Sequence, residues 1–104
     1  MIELSPQLFD ICVLSVINIK DSYGYELNSA LVSKLCISES TLYPVLRRLQ
    51  NKGYLSYYDK QFNGRNRRYY YITEDGKQQL EFYKNEWLKS KNILDEIIGG
   101  VCND

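Results

Sequence analysis

Residues 38–58, SESTLYPVLRRLQNKGYLSYY, run a helix into the start of a strand. Leu42, Val45, Leu46 and Leu49 recur at threes and fours, the spacing of one buried helix face. Ser38 suits the N-cap, and Gly53 supplies a left-handed stop. Pro44 falls inside this helix, where it removes one backbone bond and bends the first turns. Ser40, Thr41, Tyr43, Arg47 and Arg48 are left facing outward or partly so. A helix with an apolar inner face and a hydroxyl-rich, basic outer face is built to be read by something else.

Working outward from this segment gives the rest of the fold. Upstream, Ser22 or Asp21 caps a second helix from about Tyr23 to Lys34, with Tyr25, Leu27, Leu31 and Leu35 inward. Cys36-Ile37 is the short connection between the two helices. Ser5-Pro6 opens a first helix that runs to about Ile19. Its apolar residues, from Leu8 and Phe9 through Val16, Ile17 and Ile19, form more than one stripe. Such a helix needs two partners: its own core, and a second subunit. Downstream, two tyrosine-rich strands are predicted at about Leu55–Asp59 and Arg68–Thr73. Between them KQFNGRNR (60–67) reads as a hairpin turn on Asn63-Gly64. Thr73 caps a final helix from about Glu74 to Ile98. There Leu80, Tyr83, Trp87, Ser90 or Lys91, Leu94, Ile97 or Ile98, and Val101 approximate a heptad stripe. The expected fold class is mainly α with a small β-hairpin. It comprises a winged helix-turn-helix over residues 1–73 and a C-terminal dimerisation helix over 74–104.

The bulk numbers fit one small globular domain. The chain has 104 residues, 44% of them hydrophobic, too apolar for a disordered chain. No apolar run reaches the roughly 20 residues needed to span a bilayer, and the N-terminus lacks a basic signal region. The odd number of cysteines, Cys12, Cys36 and Cys102, argues against a disulfide framework and fits a reducing cytoplasm. Cys12 and Cys36 read as small buried apolar residues. There is no histidine, which removes the commonest general base and metal ligand. Neither an enzyme nor a metal or cofactor site is expected.

Net charge is zero, yet it is unevenly placed. Residues 1–39 carry two bases and five acids, and residues 73–104 four bases and seven acids. Residues 40–72 carry seven bases and one acid, a local +6 of the kind that attracts phosphates. The major groove of B-DNA admits one helix, whose N-terminal turns touch base edges. Ser38, Ser40, Thr41, Tyr43 and Arg47 occupy those turns. The hairpin then serves as a wing, presenting Asn63, Arg65, Asn66 and Arg67 to a neighbouring minor groove or backbone. Sheet packing rather than DNA stacking accounts for Tyr57, Tyr58, Tyr69, Tyr70 and Tyr71. Arg48 is a candidate for a surface ion pair.

Three strings carry a resemblance: DSYGYEL (21–27), the segment 38–58 quoted above, and NGRNRRYYYITEDGKQQL (63–80). Together they resemble the PadR family of bacterial and archaeal transcriptional regulators, from about Leu8 to Trp87. The resemblance implies a dimeric winged helix-turn-helix that represses genes, often in response to phenolic acids or toxic aromatic compounds. It also places Trp87 similarly to a tryptophan that lines a drug-binding pore between subunits in the family. The sequence has no second tryptophan, so a particular ligand does not carry over. Trp87 therefore stands either as interface core or as a ligand-stacking residue. The expected dimer interface holds Leu8, Leu80, Tyr83, Trp87, Leu94 and Ile98. The expected partners are an inverted-repeat operator in double-stranded DNA, a second copy of the chain and a small aromatic effector. The alternatives are a ligand-independent repressor and a winged helix used for protein–protein contact. The latter conflicts with the +6 block, because protein interface cores are depleted in charge.

Overall fold

The computed structural model describes residues 5–35 and 38–100. Cys36-Ile37, Val101 and Cys102, each given a role above, lie outside the described residues. Four helices and three strands are described: α1 Pro6–Ile19, β1 Ser22–Tyr23, α2 Gly24–Leu35, α3 Glu39–Asn51, β2 Leu55–Phe62, β3 Arg65–Ile72 and α4 Glu74–Gly99.

Local signals set most of the boundaries. Ser5 caps α1, its side chain accepting from the Leu8 amide, with Pro6 at the first helical position. Gly53 adopts φ 83°, and α3 closes with two reversed bonds: Gly53 N–H to the Gln50 carbonyl and Tyr54 N–H to that of Leu49. This is the Schellman closure that a left-handed glycine permits. Asn63 (φ 51°) and Gly64 (φ 78°) form a two-residue turn of the mirror-image type that matches strand twist. The hairpin therefore closes at 63–64 alone, and Lys60–Phe62 and Arg65–Arg67, read above as turn, are strand. Strong pairing through the ladder extends both strands beyond their tyrosine-rich halves, ending at Phe62 opposite Arg65.

Three other readings change. Tyr23 is not the first residue of α2 but half of β1, paired with Tyr69 on β3. Its amide donates to Glu26 Oε1, so Glu26 reaches back to the residue before the helix. Tyr25, expected inward, is 72% exposed; Leu27 and Leu31 alone are the fully buried residues of α2. Ser38 sits at the N-cap of α3 with extended backbone but makes no capping bond. Its hydroxyl instead meets those of Ser40 (2.8 Å) and Thr41 (3.0 Å).

The sheet runs β1-β3-β2, antiparallel throughout. The core lies between α1, α2, α3, the inner face of the sheet and the start of α4. It contains Phe9, Val13, Leu14, Ile17, Leu42, Leu46, Leu49, Leu55 and Leu80, among others. At α4, Thr73 Oγ1 accepts from the Gly76 amide (3.0 Å) and donates to the Gly53 carbonyl (2.6 Å). The Thr73 amide donates to Tyr54 O. One threonine thus ties the end of α3 to the start of α4.

Candidate nucleic-acid interface

Side chains alternate across a strand, so the register sorts the hairpin into two faces. Leu55, Tyr57, Tyr70 and Ile72 share the face that carries core residues. Tyr58, Lys60, Phe62, Arg65, Arg67, Tyr69 and Tyr71 share the other, joined by Tyr23 from β1. Tyr58 stacks on Tyr69 (5.6 Å between centroids, 8° between planes), and Tyr23 meets Tyr69 edge-on at 5.3 Å. The Tyr58 hydroxyl donates to Asp21. The tyrosines pack on one another, as the sequence reading expected.

The basic residues divide into engaged and open. Arg68 lies over the Tyr57 ring and pairs with Asp59 across the ladder. Arg67 lies over Tyr23 and Phe62, each at 4.4 Å. Arg48 pairs with Asp10 of α1, which is only 5% exposed. Arg47 and Arg65 are exposed and make no hydrogen bond, ion pair or ring contact among the described residues. Arg47 is on the outer side of α3, and Arg65 is the first residue after the wing tip. Ser40 and Thr41 are exposed at the start of α3, and Asn63 and Asn66 are exposed at the wing. Tyr43 is partly held down: a β-carbon added to Gly24 would meet its hydroxyl at 2.8 Å. A glycine at the start of α2 therefore lets the Tyr43 ring lie across the junction of the two helices.

Arg48 has the ion pair the sequence suggests, but its partner Asp10 is buried rather than on the surface, and nothing local links residues 38 positions apart. Burial pushes the Asp10 carboxyl above its usual range, while Arg48, and more weakly Lys52, pull it back. Between the unfolded and the raised folded pKa, the folded state binds more protons, so stability rises as pH falls. Arg48→Ala is expected to cost about 2 kcal/mol at neutral pH, less than a fully buried pair because the guanidinium is half in solvent. That deficit should shrink between neutral and acidic pH, as the carboxyl protonates. Urea unfolding of both proteins at the two pH values checks it; a deficit independent of pH would mean that Asp10 is not the cause.

The predicted dimer residues separate. Leu80 belongs to the chain's own core at 1% exposure, because the first turns of α4 pack on α1 and the sheet. Leu8, Tyr83, Trp87 and Leu94 instead line a cleft of about 260 Å³ between α1 and α4. Trp87 is 37% exposed there, and Ile98 lies one turn further along at 79%.

A helix pair whose second member turns a hydroxyl-rich, basic side outward, followed at once by an arginine-bearing hairpin, defines a winged helix-turn-helix. A profile of the PadR-like family of transcriptional regulators matches residues 13–82. The chain belongs to that family of DNA-binding transcription regulators. An uncharacterised Lysinibacillus sphaericus protein is 36% identical over 97 residues, covering 88% of this chain and 89% of the relative. A Streptococcus mutans structure superposes with TM-score 0.89 at 35% identity, over 99% of this chain and 97% of the other. A PadR-like transcriptional regulator of Bacillus cereus does so with TM-score 0.80 at 31% identity, over 88% and 91%. No helix among the described residues is long and apolar enough to cross a membrane.

Proposed function

We propose that this chain is a homodimeric repressor, released from an inverted-repeat operator by a small aromatic ligand bound beside Trp87. The observation that carries the reading is the second half of α4. It bears Trp87, Leu88, Ile93, Leu94, Ile97 and Ile98, all exposed in the single chain. Contiguous apolar surface of this kind marks an interface. A second copy laid against it covers the stripe and walls in the cleft between α1 and α4. Two copies of Trp87 then lie near one symmetry axis. The single-chain cleft is slightly smaller than a typical ligand pocket of roughly 300–1,000 Å³, and a facing copy enlarges it.

In this reading Ser40, Thr41, Tyr43 and Arg47 face the major groove of each half-site, with Ser38 at the helix start. The wing residues Asn63, Arg65 and Asn66 lie along the neighbouring backbone. The half-sites are spaced by about one helical turn. A ligand between the subunits acts by binding better to a dimer whose two α3 helices are wrongly spaced. Linkage requires operator DNA to weaken ligand binding by the same factor.

Trp87 is the only tryptophan in the chain, so its fluorescence reports the site directly. Phenolic acids, planar dyes and cationic aromatic drugs form the test panel. At least one should quench Trp87 saturably at micromolar concentration and release the operator, and Trp87→Ala should abolish both effects. Absence of saturable quenching across the panel, or quenching that never alters DNA affinity, would establish the ligand-independent repressor instead.

A further inference from the structure

The sequence groups Arg67 with the wing residues presented to a neighbouring minor groove or backbone, and its surroundings point elsewhere. It stands on β3, the central strand of the sheet, on the aromatic face. Its guanidinium carbon lies 4.4 Å from the ring centre of Tyr23 on β1 and 4.4 Å from that of Phe62 on β2. The two rings come from the two opposite neighbours of β3 and hold one cation between them. Both distances are well inside the roughly 6 Å range of a cation–π contact.

Tyr23 also connects the wing to the rest of the interface. It immediately precedes α2, and its amide donates to Glu26. The next residue, Gly24, lies against the Tyr43 hydroxyl. Contacts thus lead from Phe62 at the wing through Arg67 and Tyr23 to Gly24 and the Tyr43 ring on α3. Arg65, two residues nearer the tip on the same face, makes no ring contact or ion pair among the described residues.

We propose that Arg67 is a positioning residue. It clamps the wing to the start of α2 and so fixes Arg65 relative to Arg47 on α3, without itself holding a phosphate. The clamp rests on the DNA-binding reading for its effect on affinity, and on the ring contacts alone for its effect on the wing. No electrostatic contact with DNA is asked of Arg67, so charge and stacking are separable by mutation.

The test uses the full chain and a short mixed-sequence duplex, with affinity measured over a salt series. Arg67→Ala should weaken binding roughly tenfold, through loss of the side chain packed between the two rings, and leave the log–log salt slope unchanged. Arg67→Met keeps a long polarisable chain between the rings without charge, so its affinity should stay within about threefold of the parent. Arg65→Ala, as the comparison, should lower the slope by about 0.9. Without DNA, the Gly64 backbone amide should drop from an order parameter of about 0.85 to below about 0.6 in Arg67→Ala, but not in Arg67→Met.

Slopes lowered by about 0.9 in both Arg67 variants, with Gly64 order unchanged, would make Arg67 a phosphate ligand and overturn the clamp. An Arg67→Ala protein like the parent in both affinity and Gly64 order would overturn it as well. A parent that fails to bind duplex would sink the DNA-binding reading, and the Gly64 measurement would still decide the clamp.

Discussion

Leu94→Asp combined with Ile98→Asp is expected to yield a folded monomer that has lost its operator. Both side chains are largely exposed in the single chain, 47% and 79%, so neither supports the intrachain core. An aspartate near the end of α4 opposes the helix dipole by about 0.5 kcal/mol, enough to fray the last turn and not to unfold the domain. In the proposed dimer the same positions are covered, and each carboxylate there would be desolvated without a partner. Association should fail for that reason. With one recognition unit per particle, the gain from binding two half-sites together disappears, and operator affinity should fall about 100-fold or more. Sedimentation gives the assembly state and circular dichroism the fold. A monodisperse dimer from this variant would show that the stripe is not the interface.

The second large effect is expected at Gly76, which the sequence offers only as the last residue of an I-T-x-x-G string. Gly76 is buried in the first turn of α4, and its backbone conformation is ordinary for a helix. Helix propensity alone therefore favours alanine by about 1 kcal/mol. Packing argues the reverse. A β-carbon at Gly76 would lie 2.1 Å from the Tyr54 carbonyl oxygen and 2.7 Å from Ile72 Cγ1. Tyr54 O also accepts the Thr73 amide, so the obstacle is backbone fixed by its own bond and cannot swing aside. Either α4 lifts away from the sheet, taking Leu80 partly out of the core, or the Thr73 junction breaks. Overpacking of this severity should cost about 3 kcal/mol net, which for a domain of this size lowers Tm by about 15 °C. Calorimetry of Gly76→Ala checks it; a Tm equal to or above that of the parent would mean that propensity wins and the close approach is not what selects glycine.

Such a close approach is invisible in a string of letters, and it marks the boundary between what was legible and what was not. Signals that act within one turn were readable. Ser5-Pro6 opens α1, Gly53 stops α3, Asn63-Gly64 makes the hairpin, and Thr73 caps α4, each because a residue's own side chain or φ preference acts within a few positions. Leu42, Val45, Leu46 and Leu49 likewise declare the buried side of α3 by period. The concentration of positive charge from 40 to 72 is likewise plain from the letters alone.

Where two readings satisfied the same local rule, the sequence could not choose. Ser38 is as good a cap as Thr73, yet two neighbouring hydroxyls at Ser40 and Thr41 compete for its oxygen. Leu80 and Leu94 lie on one apparent stripe, and only the docking of the first turns of α4 assigns the former to this chain's core and leaves the latter exposed. Arg47, Arg48, Arg65, Arg67 and Arg68 are equivalent letters in a charge count. The fold gives Arg48 to Asp10, Arg68 to Asp59 and Arg67 to two rings, and among the described residues leaves Arg47 and Arg65 without a partner. By itself the sequence determined the four helices, the hairpin, their order and the location of the charge, because helix period, caps and turns are short-range. Only the tertiary structure decided which of those charges are free to meet DNA, because partners such as Asp10 and Arg48, 38 residues apart, meet only when helices and sheet pack together.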